Sequence, residues 1–383
     1  MRKILKKVVD LTLGLLMLPM VTVMSLHAQQ SFSTTIYLDY RYFLSTEGPV
    51  TLKPASDTTA YLSNQFVFRR AYLNYENKIS DNLKFRFRFD ADNSANVTGV
   101  SLTGDPVTGA SLSKDDKLRP FIKHLFLQYD NFLVPKMTLN VGMIETLTFK
   151  PAEDRWGLRS VAKTLLDGYK DITKKDIHAP SADIGASLKY SLAKYVKLAA
   201  GYYNGRGYSH LENDQYKEIQ LQTSITPIAG LSFVGYMDYE RLVPVASLPA
   251  ETSPKGQTYK VDAFVEMVKN LMLGGEWFTY QNDFNQTDGV KYDVRGWSAF
   301  GRYVITDSKL QLFARYDSYE PNCNDKGLSM SLIIVGFDWA PYHKSWKLQP
   351  NIWFANYTDG TRYNAGATKN SDVVFNLTFF LTF

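Results

Sequence analysis

Lys84, Arg86 and Arg88 recur at every second position of the run LKFRFRFD, with Leu83, Phe85, Phe87 and Phe89 filling the positions between them. Side chains of a strand alternate between its two faces, so this run sets a row of cations against a row of apolar groups. Such a row along a wall of low dielectric eases the passage of an anion, because each charge acts more strongly there than in bulk water. Arg302 and Arg315 fall on polar faces of the same kind, His124 lies on a further alternating run, and Arg70 joins them where a bulge displaces its face. The same cations could instead keep a wet wall neutral by pairing with Asp90, Asp293 and Asp317.

A second basic pattern has a different period. Over residues 153–167 the spacing turns helical: Leu158, Val161 and Leu165 share one stripe, while Arg155, Arg159 and Lys163 recur every four residues on another. Glu153 and Asp154 sit at the start, where a helix N-terminus favours negative charge. A short helix with an apolar face needs a surface to cover, and folding inward onto a wall would supply one and leave the basic face toward the passage. The competing arrangement lays this helix over a rim or against another subunit.

Other chemistry is poorly supported. His124, His178, His210 and His343 lack any two-histidine metal spacing. The segment DADNSANVTGVS begins like a calcium loop at Asp90 and Asp92, but Ala95 stands where glycine is required and Ser101 where a bidentate glutamate belongs. NGRG at 204–207 reads as a turn, since no helix follows to present phosphate-binding amides. One cysteine, Cys323, excludes an internal disulfide and a cysteine-rich zinc site, and reads as an exposed loop thiol. The loop aromatics Trp156 and Tyr208 offer faces for stacking on a sugar. No catalytic group, metal, cofactor or nucleic-acid partner is expected.

The elements that must carry these residues are strands. The 383-residue chain is 45% hydrophobic, too apolar for a disordered polymer. Arg2, Lys3, Lys6 and Lys7 precede an apolar stretch over 11–24 and the run Ser25, Leu26, His27, Ala28. That order is a secretory signal peptide over 1–28, and the stretch is shorter than the roughly 18 to 20 residues of a membrane span. Without residues 1–28 the chain holds 39 basic against 37 acidic residues, so its charge points to no partner.

Beyond Gln29 no apolar run is long enough for a transmembrane helix. Alternation returns instead at Met137, Leu139, Val141 and Met143, at Ile184, Ala186, Leu188 and Tyr190, and at Leu310, Leu312, Ala314 and Tyr316. Sixteen such runs are predicted, near 31–43, 64–77, 82–92, 121–130, 136–145, 182–191, 194–204, 215–226, 230–240, 257–267, 270–281, 291–305, 308–319, 327–340, 346–358 and 371–383. Tight linkers alternate with long ones, so turns gather on one rim and loops on the other. The expected fold is all-β: a single transmembrane antiparallel up-and-down β-barrel over 29–383, with a helix in a long third extracellular loop. Tyr37, Tyr40, Tyr42, Trp277, Tyr280, Trp339, Trp346 and Trp353 are expected in interfacial girdles.

Two resemblances extend this reading. The last strand, FNLTFFLTF, ends in Phe383 with Leu381 and Phe379 at alternate positions, and resembles the signal by which the barrel assembly machinery recognises bacterial outer-membrane proteins. The segments FVFRRAYLNYENKISDNLKFRFRFD (66–90), LRPFIKHLFLQYD (118–130), EDRWGLRS (153–160), GYYNGRGY (201–208) and FARYDSYEPN (313–322) resemble the phosphate-selective porin O and P family. That resemblance implies a sixteen-stranded, usually trimeric diffusion channel in the lipid of the bacterial outer membrane, passing small anionic or neutral solutes. Family members named for phosphate have a ladder of basic residues; here it is compact only at Lys84, Arg86 and Arg88. The expectation is therefore a passive porin with mild anion preference, set against a structural or adhesive barrel without an open pore.

Overall fold

The computed structural model describes residues 29–45, 64–92, 96–103, 109–115, 119–168, 180–209, 211–212, 214–242, 255–282, 292–306, 309–323, 329–358 and 371–383. The signal peptide expected over 1–28, His178 and His210 lie outside them. The chain opens with β1 (Gln29–Ser45), β2 (Asn64–Lys78) and β3 (Leu83–Asp92), followed by a separate hairpin of β4 (Asn96–Thr103) and β5 (Gly109–Asp115). β6 (Arg119–Asp130) and β7 (Met137–Glu145) lead to α1 (Lys150–Trp156) and α2 (Leu165–Gly168). The chain continues with β8 (Ala182–Ala193), β9 (Val196–Tyr203), β10 (Glu218–Ile228), β11 (Leu231–Arg241), β12 (Lys255–Val265) and β13 (Leu271–Asn282). It ends with β14 (Tyr292–Thr306), β15 (Leu310–Glu320), β16 (Met330–Trp339), β17 (Trp346–Tyr357) and β18 (Ser371–Thr382).

Sixteen of these strands form one closed antiparallel barrel, each beside its sequence neighbour, with β3 pairing β6 across the hairpin. β18 closes on β1 from Thr35 opposite Thr382 to Ser45 opposite Val373. Alternation is visible along β11, where Val234, Tyr236, Asp238 and Glu240 are buried and Phe233, Met237 and Tyr239 are exposed. Around the ring the outward positions are apolar, among them Leu125, Leu127, Val141, Ile184, Leu221, Val261, Leu312 and Val335. Water penalises such a surface and hydrocarbon does not, while closure leaves no unpaired strand edge within the ring.

The tight turns take backbone conformations suited to asparagine and glycine: Asn131, Asn270 and Gly230 all have positive φ. Two register shifts matter for the interior. Between Tyr37 and Leu38 the β1 partners jump from Arg70 to Phe68, so Arg69 is an extra residue and both arginines turn inward. Between Arg88 and Phe89 the β6 partners jump from His124 to Ile122, which leaves Lys123 as the extra residue.

Several expectations need correction. The second long linker carries the β4–β5 hairpin, two strands that the sixteen predicted runs do not include. Residues 153–167 are not one helix: α1 begins at Lys150, with a proline in its first turn, and stops at Gly157, whose φ of 64° places it in the left-handed region. Tyr37, Tyr280 and Trp353 occupy inward positions, and so do not join the girdles: Tyr37 borders a cavity, Tyr280 packs in an interior cluster, and Trp353 packs against another. Trp277 and Trp339 are exposed on the outer face. Cys323 is half-buried rather than exposed, and burial pushes its thiol up to about 11.

Candidate functional site

The third loop lies inside the barrel because the wall opposite is apolar at its level. Ala152, Trp156, Leu158, Val161 and Ala162 pack on Val234, Phe264, Met272, Phe300, Phe313, Leu332, Ile334 and Ala355, inward residues of β11 to β17. The Trp156 ring meets Phe300 edge-on at 5.5 Å and Phe313 at 5.9 Å, and its Nε1 donates to the Ala162 carbonyl at 2.9 Å. Phe149, Leu165 and Leu166 join Phe278, Tyr280, Val294 and Tyr319 in a second cluster. Apolar groups facing a wet lumen would be costly; here the loop covers them, so loop and wall keep each other dry.

Polar pins fix its register. The Leu165 N–H donates to Glu276 at 3.0 Å, the Leu147 N–H to Gln220 at 2.8 Å, and Arg315 donates to the Lys163 carbonyl at 2.6 Å. From β2, on another part of the wall, Arg69 donates to the Ser160 and Val161 carbonyls while pairing with Asp39 at 2.8 Å. The loop is thus strung between two walls and leaves a cavity of about 310 Å³ beside β1 to β3, β6 and β7. Tyr37, Tyr72, Arg88, Lys123, His124 and Glu145 line it from the wall; Phe149, Lys150, Glu153, Asp154 and Arg159 line it from the loop.

The basic ladder faces inward, and its rungs are largely paired. Lys84 meets Asp130 at 2.7 Å, and Arg86 meets Glu76 at 2.6 Å and Glu145 at 3.8 Å. Arg88 donates through Nε to Asn74 and lies 5.0 Å from the centre of the Tyr72 ring. Arg70 pairs with Asp90 at 3.3 Å and Asp92 at 3.0 Å. His124 is buried in the cavity wall, edge-on to Phe126.

Arg302 and Arg315 do not border this cavity. Arg315 is buried between Asp317 at 2.7 Å and the loop, with its guanidinium 5.4 Å from the Trp156 ring centre. Arg302 packs against Gly157, where an added Cβ would meet its Nη1 at 2.9 Å. The apolar loop fills the space before both, turning expected lining residues into supports for the loop.

The three loop cations also part company. Arg155 reaches Glu266 beyond β12 at 3.0 Å, Lys163 pairs with Asp167 at 3.3 Å, and of the three only Arg159 borders the cavity. The break at Gly157 is the reason, since one continuous helix would have kept them on one face. Trp156 is fully buried and offers no face to a sugar, and the Tyr208 ring is already engaged by Phe121, stacked at 5.6 Å, and by Lys123, whose Nζ lies 5.0 Å from its centre.

Residues the spacing argument passed over include Arg69 and Lys123. Their signal is two adjacent polar residues, Arg69 with Arg70 and Lys123 with His124, where alternation allows one. Also missed is an acidic stretch of wall on β10 to β13, where Glu218, Asp238, Glu240, Asp262 and Glu276 are buried inward and the last two pair with Lys260. The alternation rule applied to carboxylates would have found it.

Within the loop, burial alone would raise the Asp167 carboxyl, but Arg159, at 2.7 Å, and Lys163 outweigh it and hold the carboxyl at about 2. A depressed carboxyl contributes stability that is complete above the ordinary value of 3.8 and is lost as pH falls through about 2. The loop clamp should therefore survive pH 4, and a conductance change due to its release should have its midpoint near 2 and vanish in Asp167→Asn. A transition centred near 4 that persists in Asp167→Asn would rule Asp167 out as its source.

No family model and no curated protein sequence matches the chain. Solved structures do match its fold. An anion-selective porin from Comamonas acidovorans aligns with a TM-score of 0.61 at 12% identity, covering 93% of this chain and 100% of that one. Salmonella typhi OmpF, in complex with daunomycin, aligns at 0.62 and 9% identity, covering 93% and 98%. The outer membrane channel DcaP of Acinetobacter baumannii aligns at 0.58 and 12% identity, covering 93% and 97%. At such identities the likeness is one of fold, and the fold of this chain is the closed barrel of bacterial outer-membrane porins.

Proposed function

We propose that the protein is an outer-membrane porin, a passive channel for small hydrophilic solutes. The observation that carries the reading is a polar cavity of about 310 Å³ left beside an inward-folded loop, inside a barrel whose outer surface is apolar. In this reading the tight turns face the periplasm, the long loops face outward, and the chain is exported by a cleaved signal peptide over 1–28. The likeness of fold to porins, one of them anion-selective, supports the assignment, and a homotrimer accords with a solved trimer form of the Vibrio cholerae outer membrane protein OmpT, which aligns at a TM-score of 0.58.

Anion preference rests on Arg88, which lines the cavity and meets no carboxylate among the described residues, whereas Lys123, Lys150 and Arg159 are matched by Asp90, Asp154 and Glu153. The preference is weak, because Lys84 and Arg86 are already paired, and the same pairing argues against strict selectivity for phosphate.

The test is conductance of the folded protein in a planar bilayer under a potassium chloride gradient, followed by added phosphate. Anion-side reversal is expected, with no block at low phosphate concentration. Arg86→Glu with Arg88→Glu should move the reversal potential through zero to the cation side. An unchanged potential would remove the ladder from the ion path, and folded protein that never conducts would favour a structural or adhesive barrel.

A further inference from the structure

We propose that the cavity beside the third loop is a binding site for small zwitterions, with Arg88 taking the carboxylate and Glu145 the ammonium group. The inference rests on the channel reading and adds the solute class. Most charges around the cavity are already matched: Arg159 with Glu153 and Asp167, Lys150 with Asp154, and Lys123 with Asp90. Two are not.

Arg88 meets no carboxylate among the described residues; its Nε is engaged by Asn74, and its two terminal nitrogens remain for a planar, two-pronged acceptor. Among the described residues the ion pair of Glu145 is with Arg86, at 3.8 Å, a guanidinium already held at 2.6 Å by Glu76, while Lys150 and Lys189 act on it from farther away. Between these groups stands His124, the register partner of Arg88, only 2% exposed, with a buried Nδ1 that lacks a hydrogen-bond partner among the described residues. Arg88, His124 and Glu145 all border the same cavity.

Opposite unsatisfied charges in one cavity discriminate by sign. A simple anion would satisfy Arg88 yet stand near Glu145, and a simple cation would meet the reverse penalty, whereas a solute carrying both charges relieves both. The volume of about 310 Å³ corresponds to about ten water molecules, enough for an amino acid.

L-alanine, L-lactate and L-alaninamide are nearly isosteric; at pH 6 alanine carries both charges, lactate only the negative one and alaninamide only the positive one. Titrated at pH 6 into the full mature protein folded in detergent, alanine should bind about tenfold or more tightly than either of the others. Arg88→Gln should erase the advantage over alaninamide, and Glu145→Gln the advantage over lactate. Heat-resistant migration reports folding, and if Arg88→Gln does not fold, Arg88→Lys serves, since it keeps the charge but loses the fork. Wild-type protein that binds lactate as tightly as alanine, or variants that keep both preferences, would overturn the proposal. Conductance without alanine preference refutes the site and leaves the channel standing; alanine binding in a barrel that never conducts refutes the channel and leaves the site.

Discussion

Trp156→Ala should raise single-channel conductance on the order of twofold or more and make the current step between levels. Trp156 is fully buried, wedged between Phe300 and Phe313, and its Nε1 closes the loop back on the Ala162 carbonyl. Truncating a buried tryptophan costs about 3 to 5 kcal/mol, comparable with the net worth of several hydrogen bonds. The pins from Arg315, Glu276 and Arg69 would then hold a loop whose apolar face no longer fits its wall. Released from the wall, the loop frees cross-section and begins to exchange between positions, which a planar-bilayer recording reads directly. Trp277→Ala removes a ring of the same size from the outer face and should leave conductance unchanged. Equal conductance in Trp156→Ala and the parent protein would mean that the polar pins alone set the loop.

Truncation before Ser371 should abolish the inserted barrel altogether. β18 pairs along its length with β1 on one side and with β17, from Trp346 opposite Leu381 to Asn356 opposite Ser371, on the other. Its loss leaves two edges of unpaired N–H and C=O groups in hydrocarbon, each costing several kcal/mol. The heat-resistant form should be missing from electrophoresis, and its presence would mean that β17 and β1 can close without the last strand. Removing Phe383 alone is a different experiment. It costs two backbone hydrogen bonds to Thr34, at 2.6 and 3.0 Å, and a ring that is 74% exposed, a loss of about 1 to 3 kcal/mol at most. Assembly slowed severalfold, with little change in the thermal stability of the assembled fraction, would assign Phe383, with Leu381 and Phe379 behind it, to recognition during insertion. Normal insertion would leave that signal elsewhere.

What was legible in the sequence, and what was not, divides along the range of the interactions. The sixteen strands, the inward face of the ladder at Lys84, Arg86 and Arg88, and the order of short and long linkers are local properties. The two-residue period follows from strand geometry, and the apolar outer face follows from the solvent it must meet. Residues 153–167 showed an apolar stripe, and Leu158, Val161 and Leu165 are indeed buried, but the break at Gly157 divides the segment and separates Arg155, Arg159 and Lys163.

Only the tertiary structure decided which charges remain available. Lys84 meets Asp130 from 46 residues away, Arg69 meets the Val161 carbonyl from 92, and Arg315 meets the Lys163 carbonyl from 152. Whether a cation faces solute, a carboxylate or a loop carbonyl depends on the register between strands far apart in the chain. A local pattern specifies the face on which a side chain stands, not the partner across from it, and so the sequence by itself determined a barrel with a charged interior while the fold decided which of those charges pair with one another.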